Sequence, residues 1–170
     1  VISSANFGLY VAAWQRGFSV ILKDTEFKVY LGLVGISGLL IAANLCTAGI
    51  LPLPDSLTEA FFYAGSTSST TGFSSSDYSA WPAFSQCILV ILLLTGGCGG
   101  STAGGLKVYR LILLVKSLYV LLRQKLHPNE IFQVHIGKKT FHTNELLHIF
   151  YFFFIYLGFI FLWTLLMTFT

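Results

Sequence analysis

A short polar segment at residues 66–73 lies between two apolar runs, each long enough to enter a membrane. The segment reads STSSTTGF and contains one glycine, Gly72. In hydrocarbon every backbone donor and acceptor needs an internal partner. Non-helical backbone therefore survives at membrane depth only where protein packs on it or where it lines a watery path. We interpret this segment as the lining of a pore.

Four consecutive residues of the segment have the composition of a cation filter: Thr70, Thr71, Gly72 and Phe73. A potassium filter replaces the hydration shell of the ion with backbone carbonyls. That arrangement needs a tight turn, small hydroxyl side chains and a glycine that can adopt unusual dihedral angles. We expect potassium to bind at Thr70, Thr71 and Gly72, and we expect no organic cofactor in this chain.

The composition is that of an integral membrane protein, because 55% of the residues are apolar and only 10% are charged. No lysine or arginine lies between Tyr30 and Leu106, and the intervening loops carry Asp55, Glu59 and Asp77 instead. The positive-inside tendency makes the two flanking basic regions cytoplasmic. Because these basic residues flank apolar spans and form no aromatic-interleaved patch, we expect no nucleic-acid partner.

The pattern predicts an all-α integral membrane fold. Pro52 and Pro54 end a first long apolar run, and Asp55 or Ser56 can cap a shorter helix that is too short to cross the bilayer. Because the chain begins and ends without a recognisable boundary, we expect it to be an internal part of a longer protein. The predicted order is a cytoplasmic connector (1–28), a pore repeat (29–127), a second cytoplasmic connector (128–143) and the first transmembrane helix of a next repeat (144–170). Within the pore repeat we predict an outer helix (29–51), a re-entrant pore helix (57–66), a filter (67–74) and a broken inner helix (81–126).

The inner helix is expected to break in the glycine-rich stretch at residues 95–107. An unbroken helix from Pro82 to Lys125 would be about 65 Å long, whereas the hydrocarbon core is about 30 Å thick. An unwound segment in mid-membrane again requires a cavity, and the nearest cavity lies directly inward of the filter. We therefore predict a gating loop there, formed by Gly96, Gly97, Gly99, Gly100, Ser101, Thr102, Gly104 and Gly105.

Three charged residues are candidates for shaping the electrostatics of the pore. Asp77 could concentrate cations at the outer mouth, or it could be a solvated loop acid or helix cap. Lys107 and Arg110 could hold a cation back below the filter or pair with groups around the pore, since ionisable residues near membrane depth are functional candidates. Either one could instead be an ordinary anchor on the cytoplasmic side.

Enzymatic functions fit the sequence poorly. A phosphate-binding loop needs glycine, lysine and a hydroxyl residue in succession, whereas Gly105 is followed by Leu106, Lys107 and Val108. The serines near Gly72 have no histidine or paired carboxylate in the same half of the membrane, as a hydrolase would require. We therefore predict that the chain is not an enzyme.

The order of outer helix, short re-entrant helix, STSSTTGF loop and interrupted inner helix, together with TTGF and GGCGGSTAGGLK, closely resembles the potassium-translocating subunit of the Trk/Ktr/HKT superfamily, the Trk type in particular. The resemblance covers essentially the whole chain. It implies that the filter falls on Thr70, Thr71 and Gly72, with Phe73 following the filter glycine, and that the gating loop falls on residues 96–105.

The resemblance also implies an assembly. In that family one chain carries four such repeats around a pore, and this chain is similar to the third repeat plus the first helix of the fourth. Family members are homodimers in membrane lipid, controlled at their cytoplasmic face by a nucleotide-binding regulatory subunit of the Trk system. The implied location is the plasma membrane, the inner membrane of a bacterium.

The function expected from residues and resemblance is potassium uptake through a carbonyl-lined filter that the glycine-rich loop gates. Two alternatives share much of this architecture: a subunit of a homotetrameric cation channel, and a symporter that couples potassium to sodium or protons. A scaffold without transport would not explain polar loops at membrane depth.

Overall fold

The structure, a computed structural model, describes residues 2–126, 134–136, 139–141 and 143–169. Helices dominate these ranges, and the predicted helical fold is confirmed. The elements are a 3₁₀ turn (Ile2–Ser4), α1 (Phe7–Arg16), α2 (Ser19–Lys23), α3 (Thr25–Thr47), α4 (Leu53–Ser68), a second 3₁₀ turn (Tyr78–Ala80), α5 (Ala83–Thr95), α6 (Val108–Leu126), β1 (Val134–Ile136), β2 (Lys139–Phe141) and α7 (Thr143–Thr168).

A short antiparallel strand pair accompanies the helices. Strands β1 and β2 pair antiparallel, with Val134 opposite Phe141 and Ile136 opposite Lys139. The two strands lie within the predicted second cytoplasmic connector, residues 128–143. Strand pairing gives the backbone of this polar connector hydrogen-bond partners of its own.

The chain divides into two compact units, residues 1–109 and 110–170. In the first unit α3, α4 and α5 pack together around one apolar core. The core is contributed by all three helices and by the segment that precedes α5, and its buried members are Ile41, Ala42, Leu45, Ala60, Tyr63, Trp81 and Leu89. Gly38 lets α3 pack closely against α4, because a Cβ at this position would lie 2.9 Å from the Phe61 ring.

Helix α3 begins and ends four residues earlier than predicted. The Asp24 side chain caps its start by accepting a hydrogen bond from the Phe27 amide at 2.8 Å. Its end is a Schellman turn: Gly49 adopts a φ of +69°, and the Ile50 amide donates to the Leu45 carbonyl. The helix therefore stops at Thr47, before the prolines that were expected to end it.

Helix α4 is longer than the predicted 57–66. Pro52 is its N-cap and Pro54 lies in its first turn, where a missing backbone N–H removes no intrahelical hydrogen bond. The prolines therefore start this helix as well as separating it from α3. Sixteen residues remain too few to span the hydrocarbon as a helix, as the prediction of a re-entrant helix requires.

The glycine-rich stretch separates two helices. Helix α5 ends at Thr95 and helix α6 begins at Val108. Among the described helices, α3 and the 147–168 part of α7 are long and apolar enough to cross a membrane. In the second unit the α7 span exposes its apolar side chains, including Phe154 and Phe161.

Candidate functional site

The filter segment starts from a strained turn at the end of α4. This turn is also a Schellman motif: the Thr71 amide donates to the Ser66 carbonyl and the Thr70 amide to the Thr67 carbonyl, each at 3.1 Å. The left-handed position, usually a glycine, is taken by Thr70 with a φ of +53°. A β-branched residue there costs about 1–2 kcal/mol, so the surrounding contacts must hold it.

The hydroxyl groups of the segment supply those contacts. Thr70 Oγ1 accepts a hydrogen bond from the Gly104 amide at 2.9 Å, which connects the filter segment to the glycine-rich loop. The Ser69 and Thr71 hydroxyls bond to each other at 3.0 Å, and the Thr71 hydroxyl also donates to the Ser66 carbonyl. The small hydroxyl side chains therefore stabilise the turn at the end of α4 through hydrogen bonds.

The chain then returns past α4 through Gly72, whose φ is +72°. The Ser66 hydroxyl donates to the Phe73 carbonyl at 2.7 Å. The Tyr63 hydroxyl donates to the Ser76 carbonyl and accepts from the Ser76 amide. Glu59 accepts from the hydroxyls of Ser75 and Ser76. Helix α4 and its terminal turn thus fix the backbone at both ends of residues 70–72.

Three carbonyl groups remain available between these fixed ends. In the part of the chain that the structure describes, no donor reaches the carbonyls of Thr70, Thr71 or Gly72, and all three residues are exposed. Free carbonyl oxygens on an ordered backbone are the ligand type of potassium filters. Phe73 differs from them, because its carbonyl is bound by Ser66 while its ring is 71% exposed.

The glycine-rich loop closes on itself by direct backbone contact. A Cβ at Gly96 would lie 2.0 Å from the Gly104 carbonyl oxygen, and one at Gly105 would lie 2.9 Å from the Gly96 backbone. The amides of Leu106 and Lys107 donate to carbonyls at the end of α5, at 2.9 and 3.0 Å. The loop therefore leaves α5 and returns to the same place, and the crossing requires glycine on both limbs.

The N-terminal segment binds the same loop, which gives a structural role to a connector whose function could not be read from its sequence. The Cys98 amide donates to the Ser4 carbonyl at 2.8 Å, and the Phe7 amide donates to the Gly100 carbonyl at 3.2 Å. The Thr102 hydroxyl donates to the Ser3 carbonyl. Residues preceding α3 therefore hold the middle of the predicted gating loop.

The three charged candidates have different surroundings. The Lys107 ammonium donates to the carbonyls of Ser101 and Ala103 within the loop. In the second unit the Arg110 guanidinium lies 4.0 Å from the centroid of the Phe152 ring. Asp77 is exposed and caps the second 3₁₀ turn, and hydrogen bonds from the Ser79 hydroxyl and amide lower the pKa of its carboxyl below the ordinary 3.8.

Sequence reasoning missed three residues that organise this region. Glu26 accepts hydrogen bonds from the amides of Gly99 and Tyr109. Tyr63 is 2% exposed, and its ring packs edge-on against Trp81 with centroids 4.7 Å apart. Trp81 is buried in this core. Only Glu26 had a usable signal, since a carboxylate in the first turn of an apolar spanning helix is a functional candidate.

The chain is similar to known cation transport proteins over most of its length. The family model described as TrkH, cation transport protein, matches residues 39–168. The chain is 32% identical over 146 residues to the Trk system potassium uptake protein TrkH of Escherichia coli strain K12, and the match covers 82% of this chain and 29% of that protein. It is 28% identical over 158 residues to TrkG of the same strain, covering 92% of this chain and 32% of TrkG.

A solved structure agrees in fold. The crystal structure of the potassium transporter TrkH from Vibrio parahaemolyticus superposes with a TM-score of 0.83 at 28% identity, covering 89% of this chain and 33% of that one. The chain therefore spans about a third of the length of the relatives it matches.

Proposed function

The chain belongs to the TrkH family of cation transport proteins, and from this membership we propose that it forms one pore repeat of a potassium uptake transporter, followed by the first helix of the next repeat. The proteins of this family are transporters, not enzymes. Potassium is the proposed cargo, because the relatives in Escherichia coli are potassium uptake proteins and the structure of the Vibrio parahaemolyticus relative is that of a potassium transporter.

One observation carries the proposal that residues 70–72 form a selectivity filter. Their three carbonyls have no donor within the described chain, although the backbone on either side is fixed by Ser66, Tyr63 and the Schellman turn. Free oxygens on a fixed backbone can replace the hydration shell of an ion without collapsing onto a protein donor. The end of α4 adds a partial negative charge beside them. Potassium would contact Thr70, Thr71 and Gly72 through these carbonyls, and Phe73 would anchor the segment.

We further propose that residues 96–105 gate the pore. The Gly104 amide bonds to Thr70 Oγ1, so in this repeat the loop touches the filter segment itself. Its glycines permit compact backbone crossings that a helix could not make. A polar loop in this position would obstruct a cation until it moves.

Assembly and location follow from the family in the same way. The Escherichia coli relatives are named as parts of a Trk system. We propose a homodimer in the bacterial inner membrane whose cytoplasmic face binds a nucleotide-binding regulatory subunit. Size-exclusion chromatography with light scattering on the native protein, with and without that subunit, tests both associations.

Replacement of Gly72 by serine tests the filter. A side chain at a φ of +72° costs about 1–2 kcal/mol, and no neighbour lies within 4 Å of its Cβ, so the change acts on backbone conformation alone. We expect Gly72→Ser to reduce the preference for rubidium over sodium about tenfold. Rubidium-tracer uptake into proteoliposomes of the native protein, with sodium as competitor, measures this preference.

Gly49→Ser is the matched control. Gly49 has a φ of +69° and equally open surroundings, but it lies in the turn after α3. It should reduce stability by a similar amount and leave ion preference unchanged. Equal ion ratios in the Gly72 variant and the native protein would remove residues 70–72 from the filter.

A further inference from the structure

Glu26 connects the outer helix to both sides of the glycine-rich loop. Its Oε1 atom accepts a hydrogen bond from the Gly99 amide, in the first half of the loop, and another from the Tyr109 amide at 3.2 Å, just beyond the loop. These partners are 73 and 83 residues away in the sequence. One oxygen atom therefore joins two backbone segments that also meet in the hydrogen bond from the Val108 amide to the Gly97 carbonyl at 2.9 Å.

The Glu26 carboxylate is half-buried, and hydrogen bonds replace the water that it loses. A half-buried charge in the first turn of an apolar helix is costly unless hydrogen bonds compensate for lost water. The two amides do so, and the Tyr109 amide belongs to the first turn of α6, where helix N–H groups have no intrahelical partner. The Glu26 carboxylate thus lies in the first turn of α3 and accepts from an amide at the start of α6, and the N–H groups at both helix starts carry partial positive charge.

A cationic side chain, Lys107, also binds the glycine-rich loop. The Lys107 ammonium donates to the carbonyls of Ser101 and Ala103, while the Lys107 backbone has a φ of +71°, in the left-handed region that disfavours residues with side chains. Lys107 thus binds two carbonyl groups of the loop, and Glu26 binds the amides of Gly99 and Tyr109. The neighbouring acid, Asp24, makes no such contact, because its side chain caps the Phe27 amide of its own helix.

We propose that Glu26 is a positioning residue for the gate: its carboxylate holds the glycine-rich loop in the closed conformation by binding Gly99 and Tyr109 together. The inference rests on the proposed gating role of residues 96–105. Opening requires the loop to move away from the base of α6, and the Glu26 hydrogen bonds must break for that movement. Hydrogen bonds to a charged group contribute about 1.5–3 kcal/mol each, enough to bias such an equilibrium strongly toward closure.

The test is rubidium uptake by the native protein and its variants in proteoliposomes without a regulatory subunit. Glu26→Ala should raise basal uptake about tenfold, because it removes the acceptor. Glu26→Gln should raise it less, because an amide oxygen can still accept both hydrogen bonds without the charge. The control Asp24→Asn loses the same charge, keeps its cap and should leave uptake unchanged. The preference for rubidium over sodium should be the same in all four proteins, since Glu26 does not contact residues 70–72.

Hydrogen exchange supplies a local readout that general destabilisation would not reproduce. Peptides covering residues 96–109 should exchange faster in Glu26→Ala and in Glu26→Gln, whereas those from α4 should be unchanged. If the Glu26→Ala protein does not reach the membrane, rubidium uptake and hydrogen exchange of Glu26→Gln test the proposal. Basal uptake and loop exchange equal to those of the native protein would overturn the proposal.

A variant lacking residues 100–102 separates this proposal from the gating role beneath it. If the shortened loop raises uptake and the Glu26 variants do not, the loop is a gate and Glu26 does not hold it. If neither change alters uptake while rubidium still enters through the native protein, the gating role itself is wrong.

Discussion

At single residues, backbone strain lies next to carbonyls that have no donor among the described residues. Thr70 occupies a left-handed position that a glycine would take more readily, and its hydroxyl is bound by the Gly104 amide. Strained positions of this kind persist only where neighbouring contacts hold them, and they concentrate at functional sites. The free carbonyls of residues 70–72 begin at this residue, so the strain and the proposed ion contacts coincide.

Asp77 supports a prediction at the same scale. Asp77→Asn keeps the hydrogen bonds from Ser79 but removes the charge. If this exposed carboxylate concentrates cations, the variant should take up rubidium a few-fold more slowly at low ionic strength and equally fast at about 1 M salt, where the Debye length is about 3 Å. The salt dependence of initial uptake rates measures the effect.

The pH dependence of that difference has a definite sign. The pKa of Asp77 is lowered from 3.8 by the donors on Ser79, so the carboxylate is charged at neutral pH and keeps its charge as the pH falls to about 4. The gap between native protein and Asp77→Asn should stay constant over that range and close at lower pH, as Asp77 takes up a proton. Equal uptake rates of the native protein and Asp77→Asn at low salt and neutral pH would mean that Asp77 only caps the turn.

Among the elements, the loop between α5 and α6 is held at three places: at its base, in its middle and at Thr70. The base is the crossing of Gly96 and Gly105, the middle binds the N-terminal segment through Ser4 and Phe7, and Gly104 reaches Thr70. The outer helix contributes the Glu26 contacts. Several elements of the first unit therefore determine the position of the loop.

Shortening this loop is the corresponding prediction. Deletion of residues 100–102 removes the hydrogen bonds to Ser3 and Phe7 but keeps both crossing glycines and the hydrogen bonds that return the chain to α5. We expect basal rubidium uptake to rise about tenfold, the change produced by lowering a barrier by about 1.4 kcal/mol. Ion preference should be unaffected, because residues 70–72 are intact. A less stable protein with unchanged uptake would count against gating.

At the scale of the whole molecule, the long apolar helices decide where the chain resides. Helix α7 presents apolar and aromatic side chains over its span from residue 147 to 168, and α3 is long enough to cross beside its packed partners α4 and α5. A helix that is apolar on all sides is stable in lipid or in a protein core. Family membership places these surfaces in a cation transport protein.

Membrane integration is the prediction at this scale. The native protein should remain in the membrane pellet after an alkaline carbonate wash, because burying about 20 apolar residues in hydrocarbon is effectively irreversible. A peripheral protein of the same cells should be released under the same conditions. Release of this chain together with the peripheral marker would contradict an integral location.

The long helices, the short helix between them, the polar turn and the break at the glycines could all be predicted from the amino-acid sequence alone. These follow from hydropathy, proline and glycine patterns, which act over a few neighbouring residues. The exact helix ends were less accessible, because the Asp24 cap and the Schellman turn at Gly49 compete with the more obvious prolines.

Three features depended on the packed fold: the lack of a donor to the carbonyls of residues 70–72 among the described residues, the contacts that hold Thr70 in its conformation, and the burial of Trp81 in the core. The packed fold alone brought Glu26 to Gly99 and Tyr109 and the N-terminal segment to the loop. Hydrogen bonds between residues tens of positions apart leave no local pattern in the sequence. They form only when the packing of α3, α4 and α5 has brought their donors and acceptors together.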